Sequence, residues 1–181
     1  MDGAVIAAAV SIMGEDGPAS LTVESVAERA GVGKAAIYRR WESKDDLLVE
    51  AVASLANTVE VPDTGNLRDD LVFVLRGMCS KMSGVGAGAV FPWLIGEMGC
   101  GSELGRRFAE LVIVPRRRLV ADLLRRAMKA GEVRRGLDLE LAVDMLFGPF
   151  VLRRVTGSLQ KAPRGWEEKV VDGLLTGWKA G

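Results

Sequence analysis

Residues 30–41 read AGVGKAAIYRRW, and this stretch decides how the N-terminal part of the chain folds. Gly31 follows a short run of apolar residues at helical spacing, which Thr22 is placed to cap. Because glycine adopts the left-handed backbone conformation at little cost, Gly31 predicts a sharp end to that helix. A second helix is predicted from about Lys34 to Trp41. Two short helices joined by a tight glycine turn make a helix-turn-helix.

The second helix of such a unit enters the major groove of DNA by its N-terminal end, and the residue types here suit that role. Ile37 and Trp41 are four residues apart and must face inward. Small alanines let the helix approach base edges, and the first residues of the flanking helices are placed to hold phosphates. The alternative interpretation is a three-helix scaffold without a role in DNA binding. The predicted DNA-binding residues are Thr22, Lys34, Ala35, Ala36, Tyr38, Arg39, Arg40 and Lys44.

The composition of the chain excludes several other classes of function. It has 181 residues, with 24 basic side chains, 24 acidic side chains and no histidine. A net charge of zero means that any DNA binding depends on a local surface. The absence of histidine excludes Ser-His and Cys-His nucleophiles and His-ligated metals. We therefore predict that the protein is not an enzyme and has no catalytic residues, metal site or cofactor.

Two further features bear on the location of the protein. The longest uncharged stretch, 82–96, is shorter than the roughly 18 apolar residues that a membrane-spanning helix needs, and it contains Pro92. We expect no membrane partner and a cytoplasmic location. Cys79 and Cys100 are far apart in the sequence. We expect both to be buried small apolar side chains, and a redox role stays open.

Apolar residues recur at spacings of three and four along the whole chain, whereas strict alternation is nearly absent, so the predicted fold class is all-α. A fourth helix is predicted to begin after Ser43 and to run toward Val59. Asp46 is placed to complete a capping box at its start. The arginines at 106–107, 116–118 and 125–126 are expected to be solvated helix faces.

The stretch at 61–65 is the clearest linker in the chain and predicts a boundary between two domains, 1–60 and 61–181. A looser glycine-rich segment is expected through Leu94. The helices predicted in the second domain lie at 67–82, from Ser102 onward with a kink or break at Pro115, at 138–155 and at 164–179.

The helix at 138–155 is apolar on more than one face, which is typical of a helix buried on both sides. In so small a domain, one side needs a partner, and the final helix offers apolar residues for the same purpose. A core formed entirely within one chain is the alternative. The predicted partner-facing residues are Leu139, Val143, Leu146, Phe150, Trp166, Val170, Leu174 and Trp178.

The N-terminal stretch resembles the tetracycline-repressor (TetR) family, from about Val5 to Val52 and most densely in LTVESVAERAGVGKAAIYRRWESKDDLL. The threonine cap, the glycine turn, the tyrosine and the opening of the fourth helix occur in that family's order. Gly33 departs from the pattern, since the family often has a serine there, and the basic N-terminal arm of many members is lacking. From Ala121 onward, ADLLRRAMKAGEVRRGLDLELAVDMLFGPFVLRR is similar to the regulatory domain of one branch of the family.

The resemblance implies an N-terminal three-helix helix-turn-helix DNA-binding domain joined to a larger helical ligand-binding and dimerisation domain. It also implies a homodimer that binds a near-palindromic operator, and a small-molecule inducer that releases a repressor from DNA. The absence of histidine and the few inward polar residues predict a lipophilic inducer. An activator, a ligand-independent regulator and a helical binding protein without DNA activity are the alternatives. The predicted pocket residues are Met78, Met82, Phe91, Trp93, Met98, Phe108 and Phe147.

Overall fold

A computed structural model describes residues 1–56, 62–82 and 87–179, and their side chains except those at 55, 56, 81, 82 and 87–89. The described residues are helical, with one isolated bridge between Val133 and Lys179, which confirms the all-α prediction. Short 3₁₀ turns lie at Pro18–Ser20 and Leu159–Lys161, and a π-helical turn lies at Ala109–Ile113. The α-helices are α1 Asp2–Glu15, α2 Val23–Ala30, α3 Lys34–Tyr38, α4 Lys44–Ala56, α5 Leu67–Met82, α6 Ala87–Gly99, α7 Glu103–Phe108, α8 Val114–Ala130, α9 Leu139–Val155 and α10 Trp166–Trp178.

The helices pack into two compact units, and the first comprises Met1–Thr58 and Lys81–Ile113. Its core is an apolar cluster to which α1, α2, α4, α6 and α7 all contribute. A helix as short as α3 is not stable alone, so this cluster must hold it in place. Representative members, each nearly without exposed surface, are Val5, Ala9, Leu21, Val26, Ile37, Leu47, Leu94 and Phe108.

The second unit comprises Val59–Ser80 and Val114–Gly181. The inward sides of α5, α8, α9 and α10 form its core, which includes Leu71, Leu124, Leu146 and Val171. A bidentate ion pair between Arg68 of α5 and Asp172 of α10 lies at its surface.

The units group α6 and α7 with the N-terminal helices, whereas the linker at 61–65 predicts that these residues belong to the second domain. The reason is that Val90, Leu94 and Leu104 are apolar side chains buried in the same cluster as the N-terminal helices. The assignment of DNA binding to residues 1–60 and of ligand binding and dimerisation to residues 61–181 stays a prediction. No helix in the described part of the chain is long and apolar enough to cross a membrane.

Helix α6 is the main secondary-structure error of the sequence analysis, which expected a loose segment through Leu94. The segment contains Pro92 and several glycines, which disfavour a helix in isolation. Burial of its apolar side chains in the first unit outweighs that local preference. A second correction concerns Cys100, which is exposed, while Cys79 is buried as expected.

Asp46, in the first turn of α4, joins that helix to α7. Its carboxylate accepts hydrogen bonds from the Ser43 N–H at 2.8 Å and the Ser43 hydroxyl at 2.7 Å, and its own N–H donates to Ser43 Oγ at 3.1 Å. This confirms the predicted capping box. Asp46 also pairs with Arg107, so Arg107 is not the solvated side chain that the sequence predicts. The hydrogen bond from Ser43, and secondarily the Arg107 guanidinium, lower the pKa of the Asp46 carboxyl.

Gly105 sets how closely α7 approaches α6. A methyl group on Gly105 would lie 2.5 Å from backbone atoms of Glu97 and Met98. Gly105→Ala should therefore lower the free energy of unfolding by about 1–3 kcal/mol, because backbone has to move. Gly96→Ala is the matched control, since its added methyl meets no atom within 4 Å, and it should leave stability unchanged or raise it slightly. Urea unfolding measures both, and a neutral Gly105→Ala would contradict the close approach.

The pair between Arg107 and Asp46 gives a second prediction about the first unit. Arg107→Met should lower the free energy of unfolding by about 1 kcal/mol, because a partly buried ion pair is lost while the Asp46 cap remains. Arg106→Met is the matched control, because Arg106 is exposed and pairs with Glu103 on its own helix. It should change stability by less than about 0.5 kcal/mol. Equal effects of the two variants in urea unfolding would show that the pair contributes nothing.

Candidate nucleic-acid interface

The start and the end of α2 are built as the sequence predicts. Thr22 Oγ1 accepts a hydrogen bond from the Ser25 N–H at 3.0 Å, and Ser25 Oγ accepts one from the Thr22 N–H at 3.1 Å. Gly31 ends the helix at a φ of 67°, in the left-handed region that favours glycine. The tight turn that follows orients α3, which begins three residues later.

Helix α3 is shorter than predicted, since it ends at Tyr38 rather than Trp41. The turn continues as far as Trp41, whose N–H donates to the Ile37 carbonyl at 2.9 Å. Ile37 is 1% exposed and Trp41 is 3% exposed, which confirms that both face inward. The Trp41 indole N–H donates to Glu50 of α4 at 2.7 Å. Two buried side chains and one hydrogen bond therefore fix the direction in which α3 points.

The predicted DNA-binding side chains lie on the outer side of this unit. Ala36 is half-buried and the other seven are exposed, including Tyr38 at 52%. Thr22 is the N-cap of α2, Lys44 is the first residue of α4, and Arg39 and Arg40 directly follow α3. These four residues thus lie at the ends of three neighbouring helices of the chain. Gly33, the N-cap of α3, supplies no side-chain hydrogen bond there.

Two of the predicted cations have acidic partners within the first unit. Lys34 pairs with Glu24 at 2.6 Å, and the hydrogen bond from Lys34 is the main cause that lowers the pKa of the Glu24 carboxyl. Arg40 lies 3.3 Å from Asp2 and 3.5 Å from Glu50, and its guanidinium stacks over the Trp41 ring at 5.5 Å. Exposed pairs such as these contribute little stability, so they are exchangeable for phosphate contacts.

Arg39 and Lys44 differ from these two cations. Both are exposed, and no ion pair involving either is found among residues 1–56, 62–82 and 87–179. A cation without an acidic partner gives its full charge to a ligand. Of the predicted residues, Arg39 and Lys44 are therefore the best placed to bind an anion in the DNA-free protein.

Sequence reasoning missed Glu24 and Glu50, which pair with Lys34 and Arg40, and it missed the pairing of Arg107 with Asp46 at the start of α4. Their partners lie ten or more positions away along the chain, so helical spacing gives no signal for them. In the described part of the chain, no cluster of acidic and sulfur side chains could hold a metal ion.

The predicted pocket residues do not form one cluster within either unit. Phe108 lies in the core of the first unit, and Trp93 and Met98 pack against that core. Phe91 is buried and also belongs to the first unit, whereas Met78 and Phe147 belong to the second. The side chain of Met82 lies outside the described residues. The ligand pocket stays a prediction, and packing in the core of the first unit accounts for the burial of Phe108.

Five of the predicted partner-facing residues are buried within their own chain. They have at most 7% exposed surface, so they have almost none to give to a partner; they are Val143, Leu146, Phe150, Trp166 and Trp178. Leu139, Val170 and Leu174 are half-buried. The apolar side chains of α9 that do remain exposed are Leu141, Met145, Leu152 and Val155. This corrects the prediction for the five buried residues, whereas a place in a dimer interface stays a prediction for Leu139, Val170 and Leu174.

The chain is similar to known regulators along most of its length. The family model "Bacterial regulatory proteins, tetR family" matches residues 5–51, and "Tetracyclin repressor-like, C-terminal domain" matches residues 61–174. YdeS, an HTH-type transcriptional regulator of Bacillus subtilis, is 32% identical over 151 residues, which cover 83% of this chain and 76% of that protein. The DNA-binding transcriptional repressor TetR of Mycobacteroides abscessus is 30% identical over 144 residues, or 78% of this chain and 75% of that one.

The fold is also that of solved regulators. The crystal structure of FadR from Bacillus subtilis, a transcriptional regulator in complex with stearoyl-CoA, matches with a TM-score of 0.74 at 19% identity. The match covers 97% of this chain and 96% of FadR, and at this identity it shows the fold alone. Because family models match both parts of the chain and YdeS is similar over most of it, the chain belongs to the TetR family of bacterial transcriptional regulators.

Proposed function

We propose that the protein is a dimeric, cytoplasmic repressor that binds a near-palindromic operator and is released by a small-molecule inducer. The observation that carries the proposal is the pair of exposed cations on either side of the buried Trp41. Arg39 follows the end of α3 and Lys44 begins α4, and neither has an acidic partner among the described residues. Small side chains at the start of α3 and cations beside it suit the major groove, and the buried Ile37 and Trp41 hold the helix in place.

The two cations have different roles in this proposal. Arg39 reaches a base edge, where a bidentate contact to guanine discriminates by about 1–3 kcal/mol. Lys44 lies at the start of α4, beside the backbone, and neutralises a phosphate. Thr22, Tyr38 and Arg40 add phosphate contacts from the neighbouring helix ends.

A groove on the second unit supports the homodimer. It has a volume of about 160 Å³ and is lined by Leu141 and Met145 of α9 and by Gly173, Leu174 and Gly177 of α10. Glycines beside exposed apolar side chains allow the helices of a second copy to pack closely. A two-fold dimer places its two α3 helices about 34–36 Å apart, one turn of DNA, which requires a near-palindromic operator.

The proposed inducer has a lipophilic body and binds the helical C-terminal part. The relative TetR of Mycobacteroides abscessus is a repressor, and FadR of Bacillus subtilis was solved with stearoyl-CoA. Both are consistent with repression that an apolar ligand relieves. An activator or a ligand-independent regulator would share the DNA-binding surface. A helical binding protein without DNA activity would not need Arg39 and Lys44 to be free.

We predict that substitutions of Arg39 and Lys44 separate base recognition from phosphate binding. Arg39→Ala should weaken operator binding more than binding to scrambled DNA, and relax the preference at one position in each half-site. Lys44→Ala should weaken both nearly equally and lower the slope of log affinity against log salt by about one per subunit. Fluorescence anisotropy across a salt series measures both. If Lys44→Ala alone changes sequence preference, the assigned roles are reversed.

We predict that the exposed face of α9 makes the dimer. Leu141→Glu or Leu152→Glu should dissociate it, because a partner would bury an unpaired charge at a cost of several kcal/mol. Leu119→Glu is the matched control, since Leu119 is 44% exposed on α8 of the same unit. Sedimentation velocity distinguishes the variants. A dimer that survives both substitutions on α9 would place the interface elsewhere.

A further inference from the structure

Helix α9 carries an arginine on its inward side. The buried side chains of this helix are Ala142, Val143, Leu146, Phe150 and Arg154, which follow helical spacing along one stripe. Arg154 is 4% exposed and lies one turn after Phe150, which has no exposed surface. The last member of an otherwise apolar stripe is therefore a cation.

Two nitrogen atoms of Arg154, Nε and Nη2, are buried and have no hydrogen-bond partner among the residues that the structure describes. They form one edge of the guanidinium group. Elsewhere in this unit, Arg68 uses the same edge to bind a carboxylate, with Nε donating to one oxygen of Asp172 at 2.5 Å and Nη2 donating to the other at 2.9 Å. The free edge of Arg154 therefore has the shape and the donors that bind a carboxylate in bidentate fashion.

The two acidic side chains at the start of α10 have other contacts. Glu168 pairs through Oε1 with Arg76 of α5, while its Oε2 is buried without a hydrogen-bond partner in the described part of the chain. Glu167 interacts with Cys79, where burial first and Glu167 second raise the pKa of the thiol to about 12. No ion pair of Arg154 is found in the described part of the chain. An unpaired guanidinium is costly to bury, and burial lowers the pKa of Arg154.

We propose that the Nε and Nη2 edge of Arg154 binds the carboxylate of the inducer, which is an amphiphile with one acidic group and an apolar body. This inference rests on the proposed function, because it assigns the ligand class of the same regulator. It refines the prediction of a lipophilic ligand, because Arg154, the last buried residue of α9, recognises the acid.

The test compares matched probes on the full-length wild-type protein, Arg154→Met and the control Arg125→Met, which changes an exposed arginine of α8. The probes are short-, medium- and long-chain fatty acids and an arylacetic acid, each beside its alcohol and methyl ester, with alkyl phosphates as a second anion. Thermal unfolding and calorimetry measure stability and affinity. In wild type and Arg125→Met, at least one acid should bind about tenfold or more tightly than its alcohol or ester.

Arg154→Met should abolish this preference for the acid. It should also raise the melting temperature without ligand, because an apolar side chain of similar length replaces a buried unpaired charge. A lower melting temperature would overturn the proposal by giving Arg154 a purely structural role. Absence of any preference for acids, or tighter binding of alkyl phosphates, would overturn the carboxylate assignment. Operator binding by both proteins without probe is measured separately, so its loss in wild type would count against the proposed function instead.

Discussion

The burial of Ile37 and Trp41 is the constraint on which the DNA-binding surface depends. Helix α3 has five residues, far fewer than the roughly 12–15 that an isolated helix needs to be stable in water. Tertiary contacts must therefore supply its stability, and fully burying a large apolar side chain contributes about 1.5–3 kcal/mol. The hydrogen bond from the Trp41 indole N–H to Glu50 fixes the orientation of the Trp41 side chain. Because Ile37 and Trp41 face inward, the residues between them, including Arg39, are left exposed.

Helix α4 carries two carboxylates one turn apart, and each connects it to a different part of the first unit. Glu50 accepts a hydrogen bond from Trp41 and pairs with Arg40, so it contacts the proposed DNA-binding surface. Asp46 caps α4 and pairs with Arg107 of α7. Both line one open groove of about 590 Å³. A displacement of α7 would therefore act directly on the helix whose first residue is Lys44.

Much of the N-terminal site could be predicted because its signals are local. The Thr22 cap, the Gly31 turn and the inward Ile37 and Trp41 all follow from spacing within one or two turns, and all are confirmed. The ion pairs of Lys34 and Arg40 could not be predicted, because which acid lies nearby depends on how the helices pack.

The same limit explains α6 and α9. Local sequence signals predict a loop for the segment that contains Pro92. Its helical structure depends on the core that buries its apolar residues, and that core cannot be seen in the local sequence. For α9, an apolar pattern on more than one face indicates burial on both sides but does not say which side meets the protein's own core. Leu146 and Met145 are adjacent in the sequence and equally apolar, yet the first is fully buried and the second is 43% exposed.

Arg154 shows that a mostly apolar set of inward residues does not by itself define the chemical class of a ligand. Counting inward residues predicts a lipophilic inducer, because a single polar side chain hardly changes the average. The mean polarity of the inward side chains does not determine which ligand is recognised, however. A buried hydrogen-bond donor disfavours any ligand that offers it no acceptor. Arg68 and Arg154 are the same residue type in the same unit. Among the described residues, Arg68 has an acid across that edge and Arg154 has none. In the proposed site, the guanidinium edge of Arg154 decides which head group the ligand must carry.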